Sequence, residues 1–557
     1  MSRSLPLLLT TLLALCLNPA CSSDKDNSDA AATDGGASDG GASDGGSTDA
    51  GPTTDGGGGK DTTTQTSGCD DTPVPTTAPG DAVCSVEKSG AGLLVVADVL
   101  LPGKVIEGGA VLLDAKGNIT CVGCGCVEKA TDATWVICPD AVVSPGLIDA
   151  HNHVGWLNGK PWVAKAAGVD PALRWEHRHD WRKGKGGNPK VTVSGGGAST
   201  DQKAFGELRY VLTGSTAIFG SGDLAGLMRD LDSTGSGKNG LGQPGAKYDT
   251  FPLGDSGGTK LKTGCKYGTI QSPPGSSTDA YAPHVAEGID QEARNEFLCM
   301  TGQGSGSVEL LDKRSALIHA VGLTATEFGY MSAKGMRMIW SPRSNVSLYG
   351  DTARVTLAHR MGVSIGLGAD WVPSGSINML RELACAAYLN DNHFGGAFSD
   401  DELWQMATIG GARALAMDDA IGLLKVGHAG DLAVFRKDGR KGHTAVVGAS
   451  TRDVALVVRG GEVLAGNMAV ISALGTDCET LGDVCGVEKG VCVKKSIGKT
   501  YAALKSAVGS GAYPLFFCGE PTDEPSCVPA RTLKPDSIDG SSIYAGMSDP
   551  TDTDGDG

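Results

Sequence analysis

The chain has 557 residues, 40% of them apolar, so it is long enough for one large domain with accessory segments. It carries 47 basic and 64 acidic residues, which gives a formal net charge of −17. An acidic chain without a basic run is not expected to bind nucleic acid.

Residues 1–21 have the pattern of a lipoprotein-type signal peptide. Arg3 precedes an apolar run at 5–17. That run is shorter than the ~20 residues that a membrane-spanning helix needs. The order "NPAC", ending at Cys21, resembles a lipobox, in which Cys21 is lipidated and becomes the mature N-terminus. We therefore expect an exported bacterial protein in the periplasm or at the cell surface, held to the membrane only by this lipid. A plain cleaved signal is the alternative.

Two further segments lack the apolar residues that a core needs. Residues 22–68 consist mainly of Gly, Asp, Ser, Thr and Ala and are predicted to be a disordered linker. Residues 531–557 form an acidic tail that ends "DPTDTDGDG". That ending lacks the full ligand series of a calcium loop, so we interpret it as a solvated tail.

Cysteine is unusually frequent in the chain. Of its 16 cysteines, Cys16 and Cys21 belong to the export signal, and the rest form an even set. Export into an oxidising compartment favours disulfides, although the sequence does not give their pairing. A zinc knot built from "CVGCGC" and Cys138 is the competing interpretation. A Cys-rich segment of undetermined role covers 475–530.

The sequence pattern changes twice along the middle of the chain. Residues 90–141 and 423–470 are short β-rich segments that together predict a small β-sandwich. Between them, at 142–422, strand-like runs alternate with helix-like ones, which predicts parallel strands with helical crossovers. Ser399 and Glu402 form a predicted capping box, and Ser376 is a predicted N-cap for the helix containing Ile377 and Leu380.

Several apolar runs end on residues able to bind a metal or transfer a proton. "VVSPGLIDAHNH" ends in His151 and His153, which share one side of a strand. His284 follows a short extended segment, His319 ends "SALIH", and Asp370 ends "VSIGLGAD". A second His-x-His, His177 and His179 in "WEHRHDW", has no apolar strand before it and is interpreted as a polar loop.

The spacing of these residues fits a (β/α)8 TIM barrel, whose units are ~31 residues long. His284 lies 131 residues after His153, His319 lies 35 further on, and Asp370 another 51. This places His151 and His153 on strand 1, with His284, His319 and Asp370 on strands 5, 6 and 8. All would then lie at the carboxyl ends of strands, where barrel enzymes have their active sites.

The motifs "GLIDAHNH", "HVAEG", "LIHAVGL", "SPRSN", "GLGADW" and "GHAGDLAVF" resemble those of the amidohydrolase superfamily. Within it they are similar to the branch of cytosine, guanine and triazine deaminases and chlorohydrolases. The resemblance covers about 90–470. It implies a barrel flanked by the small β-sandwich.

The resemblance also implies roles for individual residues. Its metal ligands would be His151, His153, His284 and Asp370, holding one divalent ion. We expect Zn²⁺, with Fe²⁺ as the alternative, because imidazoles and one carboxylate suit zinc. Glu287 would move a proton from the attacking water to the leaving group. His319 would hydrogen-bond the water or the developing oxyanion, and Asp370 would also accept the proton of the water.

The number of metal ions and the substrate contacts are less constrained. The two-metal branch uses a lysine at strand 4, whereas Lys260, Lys262 and Lys266 fall in a Gly-rich loop, so we favour one metal. Candidate substrate-binding residues are Trp156, Arg178 and Arg343, which could stack on or pair with a planar or anionic molecule. Covering the barrel mouth or orienting a loop is the alternative role for them.

These observations predict a metal-dependent hydrolase that uses an activated water to cleave a non-peptide C–N bond of a small molecule, as a deaminase or cyclic amidase. One alternative is an amide or dipeptide hydrolase, or an imidazolonepropionase-like enzyme. A second alternative is an inactive exported lipoprotein that only binds a ligand. A protein that only binds or stores a metal would need the metal ligands but no proton shuttle. The presence of Glu287 and His319 therefore argues against this second alternative.

Overall fold

The computed structural model describes residues 64–530, apart from 71, 74, 77–82, 194–195, 222–225, 233–238, 276 and 476. The predicted signal peptide with Cys21, the linker up to 63 and the acidic tail lie outside the described residues. No helix within the described part of the chain is both long and apolar enough to cross a bilayer.

The strands are β1 Gln65–Gly68, β2 Ser85–Glu87, β3 Gly92–Leu101, β4 Lys104–Glu107, β5 Ala110–Leu113, β6 Ile119–Gly123, β7 Ala133–Pro145, β8 Leu147–Asn152, β9 Ser215–Gly220, β10 Arg229–Asp230, β11 Lys247–Asp249, β12 Tyr281–Val285, β13 Ala316–His319, β14 Arg337–Trp340, β15 Ser364–Leu367, β16 Leu432–Arg436, β17 Val454–Arg459, β18 Glu462–Asn467, β19 Glu479–Val484 and β20 Val487–Val491. The helices are α1 Cys126–Lys129, α2 Arg178–Lys183, α3 Thr200–Val211, α4 Gln291–Leu298, α5 Ala325–Lys334, α6 Pro342–Tyr349, α7 Val355–Arg360, α8 Met379–Asn392, α9 Asp400–Gln405, α10 Gly411–Ala414, α11 Thr444–Val447, α12 Met468–Ala473, α13 Lys494–Ile497 and α14 Tyr501–Val508.

Eight strands of the central region, β8 to β15, are all parallel to their neighbours. They form a three-stranded sheet, β10-β9-β8, and a five-stranded sheet, β11 to β15 in order. A parallel bridge from Asp232 to Ala246 connects the two sheets. Buried side chains from five of these strands share one apolar cluster, namely Ile148, Ala217, Ala282, Ile318 and Ile339. The region is therefore mixed α/β, as the alternation of strand and helix patterns predicts.

The segments before and after this region join in one sheet of twelve strands. β7 pairs antiparallel with β16, with Pro145 opposite Leu432 and Ala141 opposite Arg436. The sheet extends beyond the predicted boundary at 470, because β19 and β20 of the Cys-rich segment pair with each other and β20 pairs with β18. The predicted linker, 22–68, also extends too far along the chain, because Gln65–Gly68 is strand β1, which pairs with β4.

Two helix starts test the predicted caps. Ser399 and Glu402 form a capping box at the start of α9, as predicted. The Ser376 prediction is wrong, because α8 begins at Met379 and Asn378 caps it. The Ser376 hydroxyl is engaged elsewhere: it accepts from Arg343 Nε at 2.7 Å and donates to Glu382.

Fourteen cysteines lie in disulfide pairs, which are Cys69–Cys124, Cys84–Cys138, Cys121–Cys126, Cys265–Cys299, Cys385–Cys527, Cys478–Cys492 and Cys485–Cys518. The cysteines of "CVGCGC" are divided between two of these disulfides, and Cys138 belongs to a third. The zinc-knot interpretation is therefore wrong, since disulfide sulfurs have no thiolate to offer a metal.

Candidate active site

The four predicted metal ligands lie together at the carboxyl ends of parallel strands. His151 is in β8 and His284 in β12, whereas His153 and Asp370 come just after β8 and β15. The nitrogen ligand atoms of His151, His153 and His284 all lie within 4.8 Å of one another. Asp370 Oδ1 is 3.5 Å from His151 Nε2 and 3.2 Å from His153 Nε2. Three imidazoles and a carboxylate thus lie in one cluster.

The two predicted proton-transfer residues lie on one side of this cluster. Glu287 Oε2 is 3.8 Å from His319 Nε2. His284, Glu287 and His319 again offer ligand atoms within 4.8 Å of one another, and all three are buried. The sequence prediction of one site from strands 1, 5, 6 and 8 therefore corresponds to a real cluster of side chains.

The motif "SPRSN" supports this cluster through three of its side chains. Ser341 Oγ lies 2.9 Å from His151 Nδ1, and Ser344 Oγ donates to Asp370 Oδ2 at 2.6 Å. Asn345 Oδ1 accepts a hydrogen bond from His319 Nδ1 at 3.0 Å if that nitrogen carries the proton. Hydrogen bonds of this kind fix the tautomer and orientation of ligating or catalytic side chains. The sequence indicated the motif but did not predict these three hydrogen-bonding contacts.

The backbone at two site residues is strained. His319 has φ of 74° and Asp370 has φ of 57°, which is the left-handed region that non-glycine residues rarely adopt. Such a conformation costs on the order of 1–3 kcal/mol and persists only where surrounding contacts fix it. Asp370 is fixed by its own N–H, which donates to His151 O at 2.8 Å. Strain at these two positions is typical of functional sites.

The electrostatics suit a cation. Burial lowers the pKa of His151 and of His284 well below 6.5, so both imidazoles are neutral at pH 7 and keep a free lone pair. Burial alone would raise the pKa of Asp370, but the neighbouring His151 and His153 outweigh it and hold that pKa well below its usual range. His151 Nε2 is buried without a hydrogen-bond partner, while its Nδ1 is engaged by Ser341. This donor set fits a divalent metal ion such as Zn²⁺.

At the fourth parallel strand, a tyrosine faces the cluster. The Tyr248 hydroxyl is 3.3 Å from His153 Nε2 and 3.5 Å from His284 Nε2. Its neighbour Lys247 lies over the ring of Tyr281, with Nζ 5.3 Å from the ring centre. Lys260 is paired with Asp180 and Asp290. Sequence reasoning looked here only for a lysine and so missed Tyr248.

Aromatic rings border the cluster. The ring centre of Trp371, which directly follows Asp370, is 5.8 Å from that of His153. Trp156 and Trp181 lie against Trp371 at 5.4 and 5.7 Å. Trp156, a predicted substrate contact, is therefore one ring away from the predicted ligands. Trp371 was missed, although its place beside Asp370 was a usable signal.

The two predicted substrate-binding arginines are engaged inside the protein. Arg178 Nη2 contacts Asp255 at 2.6 Å and Glu296 at 3.3 Å, and Nη1 donates to Thr250 O. Arg343 donates to Ser376 and, at 2.6 Å through Nη1, to Pro525 O. The prediction that they clamp a substrate is corrected here: their donor groups hold internal segments together.

The interpretation of "WEHRHDW" as a polar loop is also wrong. His177, Arg178 and His179 are fully buried, and α2 begins at Arg178. His177, His179 and Glu296 could by distance hold a metal. However, His179 Nδ1 contacts Arg182 Nη1 at 2.8 Å and its Nε2 contacts Asp255 at 2.8 Å. An arginine can only donate, so both nitrogens are in hydrogen bonds and this cluster is an internal ion-pair network.

Comparison with known proteins supports the relation that the motifs suggest. Residues 280–464 match the sequence model of the amidohydrolase family. A 5-methylthioadenosine/S-adenosylhomocysteine deaminase of Halobacterium salinarum is 25% identical over 393 residues, which cover 61% of this chain and 83% of that protein. The enzyme of the same name from Pelotomaculum thermopropionicum is 32% identical over 199 residues, covering 32% of this chain and 44% of that protein.

Among solved structures, an adenosine deaminase of Xanthomonas campestris with bound zinc aligns with a TM-score of 0.49 and 17% identity, covering 75% of this chain and 96% of that one. The chain spans less than half the length of several of the curated deaminases it matches. The family match begins at the strand that carries His284 and continues through Asp370 into the return strands β16 to β18. Residues 280–464 of the chain are therefore similar to the amidohydrolase family.

Proposed function

We propose that this protein is a metal-dependent hydrolase that deaminates a small molecule by cleaving a non-peptide C–N bond. The observation that carries the proposal is the clustering of His151, His153, His284 and Asp370 beside the pair Glu287 and His319. Its named relatives are deaminases, which supports the same reaction class.

For the fold, we propose that the eight parallel strands close into a (β/α)8 barrel over about 142–422. Contacts between the first and last strands support closure: Asp370 N donates to His151 O at 2.8 Å, and Ala369 N donates to Asp149 Oδ1 at 2.9 Å.

The pairing of β3 bears on the small β-sandwich. β3 pairs with β5 along its first half and with β4 at its end. That change of partner supports the proposed sandwich of 90–141 and 423–470.

The proposed metal ligands are His151, His153, His284 and Asp370, binding one ion. A bound divalent ion would supply Lewis acidity, which makes a water molecule a stronger acid. Tyr248 of β11 faces the cluster from the fourth parallel strand, where the two-metal branch uses a lysine, and this supports one ion over two. Zn²⁺ suits the ligand set best, and Fe²⁺ is the alternative.

The residues around the ligands would handle protons and charge. We assign Glu287 to carry a proton from the attacking water to the leaving nitrogen, as a buried carboxylate within reach of the reacting centre can do. His319, oriented by Asn345, would stabilise the charge that develops on the substrate. Asp370 would accept the proton of the water.

The substrate class follows from what surrounds the cluster. Trp371 with Trp156 and Trp181 offers flat apolar surfaces beside His153, which suit a planar heterocycle that carries an amino group. Arg178 and Arg343 are engaged with internal partners, so neither supplies the carboxylate clamp that the amide and dipeptide alternative needs. We therefore favour deamination over that alternative.

We also retain the proposal of export and lipid anchoring at Cys21. The seven disulfides support an oxidising compartment. An inactive binding protein would not need Glu287 and His319 in reach of each other. Their 3.8 Å separation supports the enzyme over the binding lipoprotein.

The test measures metal content and ammonia release for the full chain. We expect about one zinc per chain, lost in His151→Ala and Asp370→Ala. His359→Ala is the matched control, because His359 pairs with Glu402 on the surface. Glu287→Gln should keep the metal but lose ammonia release from amino-heterocycles. Absence of metal in the unmodified chain after zinc addition would overturn the proposal, and two ions per chain would favour the amide alternative.

A further inference from the structure

A buried tyrosine contacts the proposed proton carrier. Tyr349 is the last residue of α6, and its hydroxyl donates to Glu287 Oε1 at 2.7 Å. Trp181 Nε1 donates to the same hydroxyl at 2.9 Å. Tyr349 is fully buried, and Trp181 nearly so. Neither residue was singled out by the sequence as a partner of Glu287.

The direction of these two hydrogen bonds is fixed by chemistry. An indole N–H can only donate, so the phenol oxygen of Tyr349 accepts from Trp181. The single phenol proton is then directed at Glu287 Oε1. Burial is the main cause that raises the pKa of Tyr349 well above 10, and the negative charge of Glu287 is the second. The phenol therefore keeps this proton at any working pH.

The two carboxylate oxygens of Glu287 therefore have different hydrogen-bonding environments. Oε1 is held by Tyr349, whereas Oε2 faces His319 Nε2 at 3.8 Å. We propose that Tyr349 is a positioning residue: it fixes Oε1 of Glu287 so that Oε2 is the oxygen presented for proton transfer. This inference rests on the proposed role of Glu287 in hydrolysis.

Helix α2, which carries Trp181, also contacts the backbone of Glu287. The backbone N–H of Arg178 donates to Glu287 O at 3.0 Å, and the guanidinium of Arg178 is held by Asp255 and Glu296. Trp181 is on the same short helix, α2. The buried ion-pair network around Arg178 thus has a use: it anchors the helix that orients Tyr349 and Glu287 together.

The test is Tyr349→Phe in the full chain, compared with Tyr513→Phe. Tyr513 is a matched control because its hydroxyl donates to Thr522 O, a backbone carbonyl of the C-terminal segment. A hydrogen bond to a charged group corresponds to about a 10- to 100-fold change in rate. We expect Tyr349→Phe to lose that factor in kcat with KM and metal content unchanged, and Trp181→Phe to lose a smaller factor. Tyr513→Phe should retain the unmodified kcat.

A second readout does not depend on activity. In a crystal structure of Tyr349→Phe, the carboxylate of Glu287 should occupy more than one rotamer. An unchanged kcat, a rise in KM alone, or a Glu287 carboxylate still held in one rotamer would overturn the positioning role. If the unmodified chain turns over no substrate, the proposed function fails, whereas the crystal structure still decides whether Tyr349 fixes Glu287.

Discussion

Removing the Cys385–Cys527 disulfide should destabilise the protein more than removing a local one. This disulfide joins residues 142 positions apart and ties the C-terminal segment to α8. A cross-link restricts the unfolded chain, and the stabilisation grows with the logarithm of the loop length. For a loop of this size the loss is ~5 kcal/mol in the free energy of unfolding when both cysteines become alanine.

The Cys121–Cys126 disulfide is the internal control. It closes a loop of only 5 positions, and both of its cysteines are buried, whereas in the longer pair Cys385 is buried and Cys527 is half-buried. The same relation gives ~2 kcal/mol for its removal by two alanine substitutions. The loop-length relation therefore predicts a difference of ~3 kcal/mol between the two double variants.

The assay is guanidinium unfolding of the full chain, followed by circular dichroism under non-reducing conditions. The midpoints should decrease in the order unmodified chain, Cys121/Cys126 variant, Cys385/Cys527 variant. Equal losses in the two variants would refute the reasoning from loop length. They would show that local packing, and not the cross-linked loop, sets the stabilisation.

Three other outcomes are expected. Burial raises the pKa of Glu207 to about 8, so the folded chain keeps a proton that the unfolded chain loses. The contribution of Glu207 to stability should therefore fall as pH rises from about 4.5 to 8, by at most ~1.4 kcal/mol per pH unit, and Glu207→Gln should make the pH dependence of the melting temperature shallower by that contribution. An unchanged slope in Glu207→Gln would assign the whole dependence to other buried carboxyls such as Glu382, whose pKa is also raised by burial to about 8. Ser341→Ala should weaken zinc affinity about 10- to 100-fold in a chelator competition, and an unchanged affinity would show that Ser341 does not orient His151. Arg343→Ala should make the C-terminal segment more susceptible to limited proteolysis near Pro525, whereas unaltered digestion would mean that other contacts, among them the Cys385–Cys527 disulfide and the Arg381–Glu524 pair, hold it.

The sequence predicted the cluster because its signal is local. His151, His284 and His319 lie in the last two residues of their strands, Asp370 lies three residues after one, and parallel strands bring such ends to one side. An apolar run followed by a metal-competent residue can be recognised without knowing its partners. The same is true of the capping box at Ser399, whose members are three residues apart.

Contacts between distant residues could not be predicted in this way. Tyr349 is 62 positions from Glu287, and Trp181 is 168 positions from Tyr349. His179 meets Asp255 across 76 positions, which turned a polar-looking stretch into a buried network. The Ser376 cap failed for the same reason, because its hydroxyl is bonded to the distant Arg343. Pairing of this kind depends on the packing of helices, which local pattern does not specify.

The placement of Ser341, Ser344 and Asn345 has an evolutionary consequence. These side chains lie at the start of α6, yet each bonds a different member of the cluster, namely His151, Asp370 and His319. A shift of this one turn would disturb all three at once, so substitutions in the motif should show epistasis with substitutions at any of the three. Adaptation to a new substrate should therefore be easier at Trp156, whose ring lies against Trp371 and is thus one ring away from His153.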